Sequence, residues 1–235
     1  MWPIPTLDHN VVTISVSCDN LVLCTITKNI HTATPLHITA YERHELHNLE
    51  LEKLILFNPT KIKNIIKAFL HTHQKENAFI TISLAGSGIS QEFISMPTST
   101  AQAADFCIPF SSNLLWGYRF MYYNEQGQSI FYLYKITRSL LIQYQLLAIS
   151  ASLNLISVTT QLMALLACYK TIHGTAFRQT QFALDMIHHH NRIEDSFSID
   201  NLKKIVSIPA TLSFQKELPY LATACGLFNY QGFNL

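Results

Sequence analysis

The sequence predicts a mixed α/β fold. Short β-rich runs alternate with segments of helical period along the chain. Ala78–Leu84 (AFITISL) is a compact β-branched run that reads as a buried strand. Leu140–Tyr169 contains no charged residue, yet its apolar period changes from helix to strand and back to helix.

Taken in order, Val11–Val16 and Leu21–Ile26 read as a hairpin joined by Ser17-Cys18-Asp19-Asn20. His37–Arg43 is a third strand, and Leu49–Phe57 a connection with apolar alternation. Asn58-Pro59 starts a helix, an N-cap followed by proline at the first helical position. Ile62, Ile65, Ile66, Phe69 and Leu70 follow at helical spacing, with Lys61, Lys63 and Lys67 on the other face. The turn Ala85-Gly86-Ser87-Gly88 separates Ala78–Leu84 from a strand over Ile89–Met96. Thr98–Ser112 is small and polar, with helical character near Ala101–Phe106. Tyr118–Tyr123 and Ser129–Ile136 form a second hairpin.

Thr137 caps a helix with Leu140, Leu141, Tyr144, Leu147 and Ala148 at its period. A strand at Leu153–Val158 and a helix from Thr160 to His173 follow, the latter stopped by Gly174. The pattern is weak over 175–214 apart from a short helix at Ile199–Val206. Glu217–Phe228 reads as a last helix with Pro219 in its first turn.

Composition narrows the function classes. Charged residues are 13% against 49% hydrophobic, which excludes a disordered chain and favours much buried or partner-covered surface. A net charge of +1 gives no global attraction for nucleic acid. Cys18, Cys24, Cys107, Cys168 and Cys225 include no CxxC pair and read as small buried hydrophobes. No secretory signal is expected in Met1–Asn10. Residues 140–169 are long enough for a membrane span, but their Gln, Ser, Thr and Asn content favours two buried helices around a strand.

The opening hairpin is the informative position for chemistry. Phosphate-binding turns bring backbone N–H groups close to an anion, often at positive φ, and glycine meets that need. Here none of the seven glycines precedes Gly86, and the turn carries Asp19 instead. Asp19 is a conceivable Mg²⁺ carboxylate, but Asp-Asn chemistry favours an ordinary turn. Gly86-Ser87-Gly88 lacks the third glycine and the lysine of phosphate motifs and reads as a strand turn. His188-His189-His190, with Asp185 and His71-x-His73, does not make a convergent metal set, so no metal is expected. No G-x-S-x-G elbow or localised Cys/His pair suggests a nucleophile. The aromatic run Trp116, Tyr118, Phe120, Tyr122, Tyr123, Phe131, Tyr132 and Tyr134 reads as core on one face, with an exposed platform possible on the other.

Four stretches together resemble the PilM family of type IV pilus assembly proteins, whose actin-like fold is related to that of FtsA. They are the opening hairpin; Leu54–Pro59 leading through a helix to Phe79–Leu84, Gly86-Ser87-Gly88 and Met96-Pro97; Ala103–Phe110, with its Ile108-Pro109-Phe110; and the hairpin, helix, strand and helix over 118–170. Leu221–Leu227 is similar to the family's last helix. The likeness covers most of residues 10–170 and that helix. Ser17-Cys18-Asp19-Asn20 departs from the family's Asp-x-Gly-x-x-(Ser/Thr) loop, nothing between Gly174 and Pro219 matches its second loop, and the chain is shorter than full-length members.

The resemblance implies an actin-like (ribonuclease H-like) α/β fold: a first subdomain over 1–77, an inserted small subdomain over 78–136, and remaining helices with a reduced second subdomain over 137–235. It implies a shortened, non-catalytic scaffold with a degenerate phosphate-loop position at Ser17, Cys18, Asp19 and Asn20 and no bound cofactor. The implied partner is the short cytoplasmic N-terminal tail of a bitopic, PilN-type inner-membrane protein, held in a groove beside the inserted subdomain. The implied location is cytoplasmic, peripheral at the bacterial inner membrane through that partner. Two alternatives stand: a divergent actin-like ATPase that still binds nucleotide, and a membrane-inserted protein using 140–169.

Overall fold

The structure, a computed structural model, describes residues 10–28, 36–46, 51–52, 54–97, 113–174, 197–209, 212 and 214–229. Strands β1 (Asn10–Val16), β2 (Asn20–Lys28) and β3 (Leu36–Glu45) form an antiparallel meander. After a small hairpin of β4 (Leu51–Glu52) and β5 (Ile55–Leu56), α1 (Pro59–Thr72) crosses over to β6 (Phe79–Leu84), which lies parallel to β1. Then β7 (Ile89–Met96), β8 (Leu114–Tyr123) and β9 (Ser129–Thr137) make a separate antiparallel sheet in the order β7-β9-β8. The chain returns through α2 (Arg138–Ala151) to β10 (Asn154–Thr160), parallel to β6. It continues as α3 (Gln161–His173), α4 (Ile199–Lys203), β11 (Val206–Ser207) and α5 (Phe214–Asn229). The large sheet therefore has the order β10-β6-β1-β2-β3-β11.

Local chemistry sets the helix starts. The Asn58, Thr137, Thr160 and Ser198 side chains each accept a hydrogen bond from the backbone N–H three residues on, capping α1 to α4. Gly174 ends α3 at φ 50°, a left-handed backbone that favours glycine.

Strand alternation divides the large sheet between two cores. Val12, Ile14, Val16, Ile80, Ile82 and Leu84 point to one face, where Ile62, Ile66 and Phe69 of α1 and Leu140, Tyr144 and Leu147 of α2 cover them. The other face lies beneath α3 and α5, whose Met163, Leu165, Leu221, Ala224 and Cys225 are buried there with Cys24 and Ile26 of β2. On this second face β1, β6 and β10 place a row of buried hydroxyls: Thr13, Ser15, Thr81, Ser83, Ser157 and Thr159. Thr13 donates to the Cys24 carbonyl at 3.3 Å and Ser83 donates to Ser15 at 3.0 Å. The Thr81, Ser157 and Thr159 hydroxyls are buried with no hydrogen-bond partner among the described residues.

Hydrogen bonding redraws the expected division at residue 78. β6 is paired between β1 and β10, so it belongs to the large sheet, and β7 to β9 alone form the small one. Among the described residues after 137, β10, β11, α3 and α5 complete that same large sheet and its cover. The last helix starts earlier than its sequence pattern indicates, at Phe214, which puts Pro219 inside it; the Thr223 hydroxyl donates to the Pro219 carbonyl at 2.8 Å. The helix expected over Ile199–Val206 ends at Lys203, because Val206 and Ser207 pair with Leu36 and His37. Residues 101–106 and 185–190, and with them the Ala103–Phe110 motif and His188-His189-His190, lie outside the described residues.

Candidate functional site

Among the described residues are two concave sites. The first is a cleft of about 620 Å³ at the carboxyl ends of the parallel strands β1, β6 and β10. Open α/β sheets bind ligands at this position. Ser17, Cys18, Asp19 and Asn20 line it, together with Ala85-Gly86 after β6, Gln161 after β10, Arg43 of β3, and Pro219 and Tyr220 of α5.

The turn is held internally. The Asn20 N–H donates to the Ser17 hydroxyl at 3.2 Å, and the Ser17 N–H donates to the Asn20 carbonyl at 2.9 Å. The Asp19 carbonyl accepts from the Leu46 N–H at 2.7 Å. Gly86, at φ 138°, passes so close that an added Cβ would stand 2.6 Å from the Cys18 sulfur. A strand turn is therefore what Gly86-Ser87-Gly88 makes, but its first glycine also walls the cleft.

Arg43 organises the opposite wall. Its Nε–H donates to the Asn20 side-chain oxygen at 2.8 Å, and its Nη1 lies 3.5 Å from the Glu217 carboxylate. The guanidinium stands 5.2 Å from the centre of the Tyr220 ring. The Tyr41 hydroxyl donates a hydrogen bond to the other Glu217 oxygen. Burial, then that carboxylate, hold the Tyr41 phenol well above its ordinary range. Arg43, Gln161 and Tyr220 come from distant segments, and the sequence alone gives no signal that joins them to the Ser17–Asn20 turn.

The second site is an apolar groove of about 200 Å³ where the two sheets meet. Ile89 of β7, Leu115 and Trp116 of β8 and Ile136 of β9 face Leu141 of α2 and Val158 of β10 across it. The small sheet is fixed beside it by its inner face, where Met121, Tyr132 and Tyr134 enter the core under α3 and α5. On its outer face Tyr118 and Phe120 are partly exposed, each edge-on to Phe131. The aromatic run thus supplies core and open surface from alternate positions.

Cys24, Cys168 and Cys225 are buried, and Cys18 is half-buried at the cleft. His71 pairs with Glu76 at 3.1 Å and His73 with Glu42 at 3.4 Å at the end of α1. Among the described residues no three His, Cys, Asp or Glu side chains converge as a metal site. Residues 140–169 divide into α2, β10 and α3, and among the described residues no helix is long and apolar enough to cross a membrane.

No family model matches the sequence, and no curated protein matches it. Solved structures do. The chain is similar to the PilM–PilN type IV pilus biogenesis complex at a TM-score of 0.55 and 13% identity, over 70% of this chain and 51% of that one. The chain has an actin-like fold. Further similar structures are the cytoplasmic domain of EpsL, from the type II secretion system of Vibrio cholerae, and a Bacteroides thetaiotaomicron protein with an actin-like ATPase fold. The first has a TM-score of 0.41 at 8% identity, over 66% of this chain and 58% of that one. The second has a TM-score of 0.36 at 12% identity, over 71% and 57%. This actin-like chain spans about half the length of the pilus protein it resembles.

Proposed function

We propose that this actin-like chain is a non-catalytic scaffold of a type IV pilus, DNA-uptake or related secretion machine. It holds the cytoplasmic N-terminal tail of a PilN-type inner-membrane protein, and so works at the inner face of that membrane. The observation that carries this reading is the apolar groove at the junction of the two sheets, walled by Leu115, Trp116, Ile136, Leu141 and Val158. A pocket lined this way suits an extended segment that anchors alternate apolar side chains and is ordered only on binding. The fold shared with the PilM–PilN complex supports the choice of partner class. Co-purification of the chain with that tail tests it: retention that Leu115→Gln weakens is expected, and no retention at high micromolar concentration counts against it.

The 620 Å³ cleft favours a second reading, a divergent ATPase that binds nucleotide through non-standard loops. The scaffold reading is preferred because the Ser17 and Asn20 N–H groups are spent within the turn and Arg43 is already engaged by Asn20 and Glu217. Saturable ATP binding that Asp19→Ala abolishes would reverse that preference.

A further inference from the structure

The layer formed by α1 and α2 differs in charge from the rest of the molecule. The whole chain balances 16 Lys and Arg against 15 Asp and Glu. Within this layer α1 carries Lys61, Lys63 and Lys67, α2 carries Arg138, and neither helix has a carboxylate. Lys61, Lys67 and Arg138 are exposed.

The same layer exposes an apolar stripe. α2 buries Leu140, Tyr144, Leu147, Ala148 and Ala151 against the sheet. On its opposite side Ile142, Leu146 and Ile149, spaced i, i+4, i+7, are 42%, 57% and 72% exposed. Ile55 and Phe57 are also exposed and flank this stripe, because β5 is tied to α2 where the Leu56 N–H donates to Gln143 at 3.0 Å. Of the nearby carboxylates, Glu42 and Glu76 sit at the C-terminal end of α1 and are engaged by His73 and His71, and Glu52 of β4 lies opposite Ile55 in the strand pairing.

An apolar stripe bordered by cations, with no carboxylate on either helix, is complementary to an anionic lipid surface. A second copy laid against it would set cations against cations. We propose that the α1–α2 face rests directly on an anionic bilayer, with Ile142, Leu146, Ile149 and Phe57 at the headgroup–acyl boundary and the lysines at phosphate level. This contact needs no protein partner, so it stands or falls separately from the groove reading.

Flotation of the full chain with vesicles tests it, comparing phosphatidylcholine alone with an equal mixture of phosphatidylcholine and phosphatidylglycerol. Flotation with the anionic vesicles only, weakened by salt, is expected. Lys61→Glu with Lys67→Glu is expected to reduce it on the order of tenfold or more. Leu146→Glu with Ile149→Glu should abolish it while the melting curve stays unchanged, since both side chains are exposed; Leu146→Ser, a milder change, should weaken it. Three results would overturn the proposal: no flotation with anionic vesicles, flotation that neither charge reversal nor the apolar variants alter, or a concentration-dependent dimer that Leu146→Glu dissociates without any flotation.

Discussion

Gly226 of α5 lies against the backbone carbonyl of Ala164 in α3, so closely that a Cβ on the glycine would overlap that oxygen. The helices meet backbone to backbone, and neither side has a rotamer that relieves an added methyl. Gly226→Ala is expected to cost about 1–3 kcal/mol, near the upper end, and to lower Tm by roughly 5–10 °C in a thermal melt. An unchanged Tm would show that α3 and α5 sit farther apart.

The close approach matters because these helices cover the hydroxyl row of the large sheet. Thr81 and Thr159 bury hydroxyls with no partner among the described residues. Replacing such a group with an isosteric methyl removes a desolvation cost and no hydrogen bond. Thr81→Val and Thr159→Val are each expected to stabilise by about 1 kcal/mol in a denaturant titration. Destabilisation would mean that the hydroxyls are satisfied in solution.

Much of this architecture is legible in the residues themselves. The Asn58 and Thr137 caps, the Gly174 stop and the helix–strand–helix reading of 140–169 all follow from short-range chemistry, and the structure has them. The position of β6 in the large sheet does not follow, because Val12–Ile80 and Ile82–Val158 pairing joins strands far apart in sequence. The cleft was half legible for the same reason. Its turn, Ser17–Asn20, is contiguous, whereas Arg43 reaches Glu217 across a separation of 174 residues. The groove depends on Leu115 and Ile136 of the small sheet meeting Val158 of the large one, which no periodicity reveals.

Arg43 and Glu217 tie the first part of α5 to β3 at the edge of the cleft. Removing either partner leaves the other poorly matched, and Glu217→Ala also strips the Tyr41 hydroxyl of its acceptor. Each single alanine variant is expected to cost about 1.5–3 kcal/mol. The double variant should cost less than the sum, and the cycle measured by chemical denaturation reads the coupling. Additive costs would indicate that the pair does not hold in solution.

The buried thiols give the stability an alkaline limit. Burial pushes Cys225 up to about 12, and it raises Cys24 and Cys168 well above the usual thiol range. The folded chain therefore keeps these protons at pH values where the unfolded chain, near about 8.5, has released them. Their stabilising effect is complete below that pH and is lost as the pH rises towards the folded values. Each thiol contributes a slope of up to about 1.36 kcal/mol per pH unit in that window. Stability measured from pH 8 to 11 should fall, and Cys225→Ala should make the fall shallower. An identical slope in the variant would contradict the burial assigned to Cys225.

Trp116 borders the groove, so its fluorescence reads the central claim most directly. A synthetic peptide with the sequence of a PilN-type cytoplasmic N-terminal tail would be titrated into the full chain. A saturable change in tryptophan emission at micromolar concentration is expected, with Leu115→Gln and Leu141→Gln each weakening binding by about tenfold. No saturable change at high micromolar concentration, or binding that both variants leave intact, would contradict the assignment of the groove as the partner site.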